Sequence, residues 1–97
     1  MKNLNQLNDK TKESLIILQE ECAEVVQEVS KCFRFGLDSK HYKTGLSHAT
    51  MLETQIGDVL ALVDILVDKG IINLNNLELA KAAKKEKLKL WSSIYEN

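Results

Sequence analysis

The sequence predicts an all-α protein, and three observations support this prediction. The 97-residue chain contains no proline, so none of its helices is interrupted by that residue. Apolar residues recur at the spacing of a helix face over long stretches, and no stretch alternates as a half-buried strand does. Three of the four glycines separate these periodic stretches, which divides the chain into helical blocks.

Residues that start and stop helices define the three blocks. Asp9 or Thr11 is the predicted N-cap of the first helix, and Gly36 lies just beyond its end. Ser47 is the predicted N-cap of the second helix, and Gly70 terminates it. The helices are therefore expected, within a few residues at each end, at about 10–33, 47–69 and 75–95.

The third helix has the clearest start signal in the sequence. Asn75 is followed three positions later by Glu78, which is a capping-box pattern. We expect residues 1–97 to form a single helical domain. A chain this short buries only about 60 to 65% of its unfolded surface, so we expect a helical bundle whose core is completed by oligomerisation.

Composition and charge restrict the classes of partner. The chain is 44% hydrophobic and 28% charged, as ordinary globular domains are. Its net charge of −1 disfavours a nucleic acid polymer or an anionic membrane as partner, because both need a basic excess. No apolar run reaches the roughly 18 residues of a membrane span, and the N-terminus lacks the apolar stretch of a signal peptide. We therefore expect a cytoplasmic protein.

The first helix carries an acidic stripe directly beside its apolar stripe. At about 100° per residue, Glu21, Glu24 and Glu28 fall within about 60° of one another. The apolar stripe beside them is expected to be a packing seam. It consists of Leu18, Cys22, Val25, Val29 and Cys32. Both cysteines are expected to be core thiols, since about 15 Å of helix separates them and excludes a disulfide between them.

The second helix carries a matching polar edge. Asp58 lies at the edge of its apolar face, and Gln55 lies one turn earlier, about 60° away around the helix. Glu53 points elsewhere, about 140° from Asp58. The apolar face comprises Leu52, Ile56, Val59, Val63 and Leu66. Gln55 and Asp58 are therefore able to converge on one point.

Two interpretations of the acidic residues remain open at this stage. Carboxylates three and four residues apart repel one another, and a hard divalent cation such as Mg²⁺ or Mn²⁺ removes that repulsion. Alternatively, the stripe is a solvated acidic face with Lys12, Lys31 and water as its partners. The occurrence of Asp58 at the corresponding edge of a second helix favours the cation site.

Three segments of the chain resemble a known family. They are "EECAE" at 20–24, "KCFRFGLD" at 31–38 and "QIGDVLALVDIL" at 55–66. In their order and context they resemble the MazG-like all-α nucleotide pyrophosphohydrolases, in particular their short phage-type members. The resemblance covers residues 15 to about 90, which is most of the chain.

The resemblance implies an Mg²⁺-dependent hydrolase that is active as a dimer or tetramer in the cytoplasm. If a phage encodes the protein, this is the cytoplasm of the host. Such enzymes convert a nucleoside triphosphate, ribo or deoxy, to the monophosphate and pyrophosphate by attack of water. The implied ligands of Mg²⁺ or Mn²⁺ are Glu21, Glu24, Gln55 and Asp58, and the implied catalytic residues, which orient the water, are Glu20 and Glu24.

Gln55 departs from the family pattern, which has a fourth carboxylate at this position. An amide oxygen binds Mg²⁺, but it brings no negative charge and does not act as a base. Glu20 or Glu28 is expected to compensate in part. The alternative function is a non-catalytic nucleotide-binding protein that sequesters a nucleotide or a nucleotide-derived signal.

Basic and aromatic residues complete the set of candidates. Lys31, Arg34 and Lys84 are the expected substrate-binding residues. The alternatives are that Lys31 and Arg34 only favour the C-terminus of the first helix, and that Lys84 belongs to a solvated basic face. Tyr42 is a candidate for contact with a base. His41 and His48 are expected at the surface, and Trp91 in a core or interface.

Overall fold

Three α-helices connected by two loops make up residues 8–96, the part of the chain that this computed structural model describes. The helices are α1 (Asp9–Phe35), α2 (His48–Asp68) and α3 (Leu74–Trp91). Residues 8–96 contain no strand, and the all-α prediction is confirmed. The outermost parts of the predicted domain, residues 1–7 and 97, lie outside the described residues.

The cap residues of α1 explain where this helix begins and ends. The side chain of Asn8 accepts a hydrogen bond of 2.8 Å from the backbone N–H of Thr11, so Asn8 is the N-cap. The prediction of Asp9 or Thr11 as cap was therefore wrong by one to three positions. Gly36 ends the helix as predicted, with a φ of 93° that favours glycine, and its N–H donates to the carbonyl oxygen of Cys32.

The loop between α1 and α2 is fastened to the start of α2. Ser47 is the N-cap, as predicted, and its hydroxyl accepts from the N–H of Thr50 at 3.1 Å. The first two N–H groups of the helix donate to loop carbonyls, His48 to Ser39 at 3.0 Å and Ala49 to Leu37 at 2.9 Å. Backbone donors at the start of α2 are therefore used by the loop itself.

The third helix begins earlier than predicted. Asn73 is its N-cap and accepts from the N–H of Asn76 at 3.0 Å, so the predicted cap at Asn75 is wrong. The helix ends at Trp91, where the Ser92 hydroxyl donates to the carbonyl of Leu88 at 2.8 Å. Residues 92–95, expected to be helical, lie beyond this end.

The hairpin of α1 and α2 contains nearly all of the packing between helices. Leu66 is the only fully buried hydrophobic residue among residues 8–96, with 1% of its surface exposed. Helix α3 contains no buried residue and makes few contacts with the hairpin. Cys32 is half-buried, but Cys22 is exposed, which contradicts its prediction as a core thiol. Within the described residues, no helix is long and apolar enough to span a membrane.

Candidate metal centre and adjoining cavity

Helices α1 and α2 bring three carboxylates together. Glu21 and Glu24 are one turn apart on α1, and Asp58 faces them from α2. Each of the three side chains offers an oxygen atom, and these atoms lie within 4.8 Å of one another. We call Glu21, Glu24 and Asp58 the acidic cluster. The separation of these oxygens suits a single divalent cation held between two helices.

Burial and like charge act together on Glu21. This residue is half-buried, and burial is the largest cause that raises the pKa of its carboxyl above the usual 4.5. The negative charges of Glu24 and Asp58 raise it further. Among residues 8–96, no group donates a hydrogen bond to the buried Oε2 atom of Glu21. The charged form of Glu21 is therefore disfavoured until a cation or a proton joins it.

Gln55 supplies a second buried oxygen close in sequence to the cluster. It lies one turn before Asp58 on α2, is half-buried, and its Oε1 atom has no hydrogen-bond partner within the described part of the chain. Buried polar atoms without a partner are uncommon because each is destabilising by about 1 to 3 kcal/mol. The chemistry of Mg²⁺ or Mn²⁺ fits this set of donors, which offers carboxylate and amide oxygens only.

The remaining acidic candidates on α1 do not belong to the cluster. Glu20 is exposed and outside the group of three. Glu28 is 3% exposed, and its Oε1 atom lies 3.1 Å from Nδ1 of His48. Its Oε2 atom lies 3.9 Å from Nζ of Lys31. Of the two residues expected to compensate for Gln55, Glu28 instead contacts His48, and Glu20 stays a prediction.

The sequence prediction also missed the burial of His48. This residue was expected at the surface but is 3% exposed, since the loop closes over the start of α2. The ring of Phe35 stacks on its imidazole, with centroids 5.4 Å apart and planes inclined by 16°. The contact of 3.1 Å between Nδ1 of His48 and Oε1 of Glu28 gives each of these two buried side chains a hydrogen-bond partner. No periodic pattern signals this burial, because it depends on how the irregular loop returns to α2.

A cavity of about 370 Å³ lies beside this pair at the loop end of the hairpin. Two of the predicted substrate-binding residues, Lys31 and Arg34, line it. Lys84 is exposed on α3 and lines neither this cavity nor the acidic cluster. Within a single chain, the structure thus groups Lys31 with Arg34 but does not bring Lys84 to them.

Comparisons with protein-family models, with curated proteins and with solved structures found no match to this chain. The resemblance described from the three sequence segments therefore stays an expectation, and the function rests on the chemistry of the site.

Proposed function

We propose that the protein is an Mg²⁺-dependent nucleotide pyrophosphohydrolase that acts on free nucleoside triphosphates in the cytoplasm. The observation that carries this proposal is the acidic cluster, in which Glu21, Glu24 and Asp58 offer oxygens within 4.8 Å of one another. The buried, unpartnered oxygens of Glu21 and Gln55 support it, since a cation provides the partner that they lack. The products are the nucleoside monophosphate and pyrophosphate.

The residues of the site divide the work between cation and substrate. Glu21, Glu24, Gln55 and Asp58 would hold Mg²⁺ or Mn²⁺, which when bound neutralises phosphate charge and lowers the pKa of water. Glu24 and the neighbouring Glu20 orient the attacking water through their carboxylate oxygens.

Cationic side chains meet the phosphates on the loop side of the cluster. Lys31 and Arg34 lie within about three turns of Glu24 on α1, and the guanidinium of Arg34 matches a phosphate with two parallel hydrogen bonds. If Lys84 contributes, it does so from another subunit, because α3 makes few contacts with the hairpin of its own chain.

The test measures product and binding in the same samples. The purified protein is incubated with ribo- and deoxynucleoside triphosphates and Mg²⁺ or Mn²⁺, and pyrophosphate release is recorded together with the melting temperature. We expect release from at least one nucleotide, and its loss in the variant Glu24→Gln. Glu53→Gln, which changes an exposed carboxylate outside the cluster, is the matched control and should retain activity. Equal rates in both variants would refute the proposed role of the cluster.

Gln55 favours a second candidate function, which is nucleotide binding without turnover. Its amide keeps an oxygen for the cation but removes the charge of a fourth carboxylate. A protein of this kind would sequester a nucleotide or a nucleotide-derived signal. The same experiment separates the two functions, since a binding protein shows a nucleotide-dependent rise in melting temperature with no pyrophosphate release.

We further propose that the chain functions as a homodimer or homotetramer. Large hydrophobic side chains are exposed on all three helices of the single chain, among them Phe33 at 89%, Leu60 at 57% and Trp91 at 83%. Monomeric proteins rarely leave so much apolar surface uncovered, and residues 8–96 of the single chain, with one buried hydrophobic residue, form little core of their own. Sedimentation equilibrium should give a mass of two or four times 11.0 kDa, and a purely monomeric protein would refute the proposal.

A further inference from the structure

The cavity at the loop end of the α1–α2 hairpin has features of a binding site that the acidic cluster does not explain. Its volume of about 370 Å³ is within the range of small-molecule sites. Three cations line it, Lys31, Arg34 and Lys40. No carboxylate is found among the described residues of its lining. The charge of the lining is therefore suited to a ligand that carries negative charge.

Aromatic rings form much of the remaining wall. The cavity is lined by Phe35, His41 and Tyr42. The side chain of Phe35 is 52% exposed, and that of Tyr42 is 84% exposed. The rings of His41 and Tyr42 stack on each other, with centroids 5.0 Å apart. The ring of Phe35 already stacks on His48, and Arg34 lies 5.2 Å from its centroid. Nζ of Lys43 lies 5.6 Å from the centroid of Tyr42. Exposed aromatic side chains beside cations are the combination that binds a planar base together with phosphate.

A buried polar side chain also faces the cavity. His48 lines it and is 3% exposed. Its position is fixed by Nδ1, which lies 3.1 Å from Oε1 of Glu28, and by the stacked ring of Phe35. No side-chain hydrogen bond within residues 8–96 uses its Nε2 atom. With respect to residues 8–96, Nε2 of His48 is thus available to a ligand in the cavity, in a direction that the packing of the ring fixes.

The cavity and the acidic cluster are separated by a short length of helix. Lys31 follows Glu24 by seven positions on α1, and His48 precedes Asp58 by ten positions on α2. At 1.5 Å per residue these separations are about 10 and 15 Å along the two helix axes. That distance is comparable to the extent of a nucleoside with its chain of phosphates, so one ligand is able to reach both sites.

We propose that this cavity binds the base of the nucleotide whose phosphates lie toward the acidic cluster. The base packs against the ring of Tyr42 and forms a hydrogen bond with Nε2 of His48. Lys31 and Arg34 contact the phosphates, which extend from the cavity toward the acidic cluster. The inference rests on the proposed function, which supplies the phosphate end of the ligand. It adds that affinity depends on the base and not on the phosphates alone.

The test compares a nucleotide with its phosphate chain alone. Binding of the full chain with Mg²⁺ is measured by calorimetry for the α,β-imido analogues of the four deoxynucleoside triphosphates and for inorganic tripolyphosphate. We expect at least one nucleotide to bind tighter than tripolyphosphate. Tyr42→Leu should weaken the binding of that nucleotide by about 5- to 30-fold, as the loss of one stacked ring does. It should leave the binding of tripolyphosphate unchanged. Tyr95→Leu removes a tyrosine outside the cavity and is the matched control.

Each outcome distinguishes this inference from the proposed function. Nucleotides that bind no tighter than tripolyphosphate, or a Tyr42→Leu variant that matches Tyr95→Leu, overturn the base site but leave the phosphate and metal site standing. Failure of every nucleotide and of tripolyphosphate to bind with Mg²⁺ overturns the proposed function and this inference together. Because Tyr42 is 84% exposed, its replacement is not expected to disturb the fold.

Discussion

Replacing Glu28 with alanine should destabilise the protein far more than replacing an exposed glutamate. Glu28 and His48 are each 3% exposed, and Oε1 of Glu28 lies 3.1 Å from Nδ1 of His48. Alanine at position 28 leaves Nδ1 of His48 buried without its hydrogen-bond partner. An orphaned buried polar group is destabilising by about 1 to 3 kcal/mol, and the space left by the lost side chain adds to this. Glu28→Gln keeps an acceptor oxygen, so we expect it to lose only about 1 kcal/mol.

An exposed ion pair on α3 provides the matched control. Oε1 of Glu78 lies 3.2 Å from Nζ of Lys81, and these side chains are 58% and 63% exposed. Because water screens such a pair, Glu78→Ala should change stability by less than about 1 kcal/mol. Lys31→Ala should also have a small effect, since Lys31 is 45% exposed and 3.9 Å from Glu28. This variant separates the contribution of His48 from that of Lys31.

Thermal unfolding of these variants at one fixed chain concentration measures the difference. For a domain of this size, 1 kcal/mol corresponds to about 4 to 8 °C in melting temperature, so Glu28→Ala should lower it by more than about 4 °C. A fixed concentration is necessary because assembly would shift the melting temperature by mass action. Equal shifts for Glu28→Ala and Glu78→Ala would refute the reasoning that burial of the pair decides its contribution.

Two further predictions concern the acidic cluster. Gln55→Glu should tighten Mn²⁺ binding on the order of tenfold, because the number of charged ligands sets the affinity for the cation. It should also raise the rate of pyrophosphate release. Calorimetry measures the affinity and the release assay measures the rate, and an unchanged affinity would place residue 55 outside the site. The second is a pH dependence of metal stabilisation. The pKa of Glu21 is raised above 4.5, so its carboxylate destabilises the metal-free fold above the raised pKa and has no such effect below 4.5. Because a cation relieves only the ionised form, the rise in melting temperature caused by Mn²⁺ should shrink as the pH falls through the raised pKa. Glu21→Gln should show a smaller rise with less dependence on pH, and an identical pH profile in that variant would contradict this account.

Helix periodicity predicted part of the acidic cluster, but it also put Glu28 in the same stripe, and the set of ligands came from the family resemblance. Glu21 and Glu24 share one edge of α1 because they are three residues apart, and Asp58 occupies the corresponding edge of α2. Side chains at the edges of two packing faces meet when the helices pair as a hairpin. The cap at Ser47 and the stop at Gly36 were also predicted, since each depends on the chemistry of one residue and its immediate neighbours.

Features that depend on the loop were not predictable in this way. His48 is buried because the backbone of Ser39 and Leu37 folds back onto the start of α2 and Phe35 covers the ring. No periodic pattern describes an irregular loop. The start of α3 was missed for a different reason, because "NLNN" at 73–76 offers asparagine at three positions, and the capping-box spacing favoured Asn75 over Asn73.

The attachment of the loop to α2 has a consequence for the kinetics of ligand entry. The N–H groups of His48 and Ala49 donate to carbonyls of the loop, and the N–H of His41 donates to the carbonyl of Leu46 at 2.8 Å. The walls of the cavity are thus formed when the chain folds, and an arriving molecule has no segment to order. Association there should follow simple second-order encounter, with no slow phase after mixing and no gain of amide protection in the loop beyond what the free protein already has.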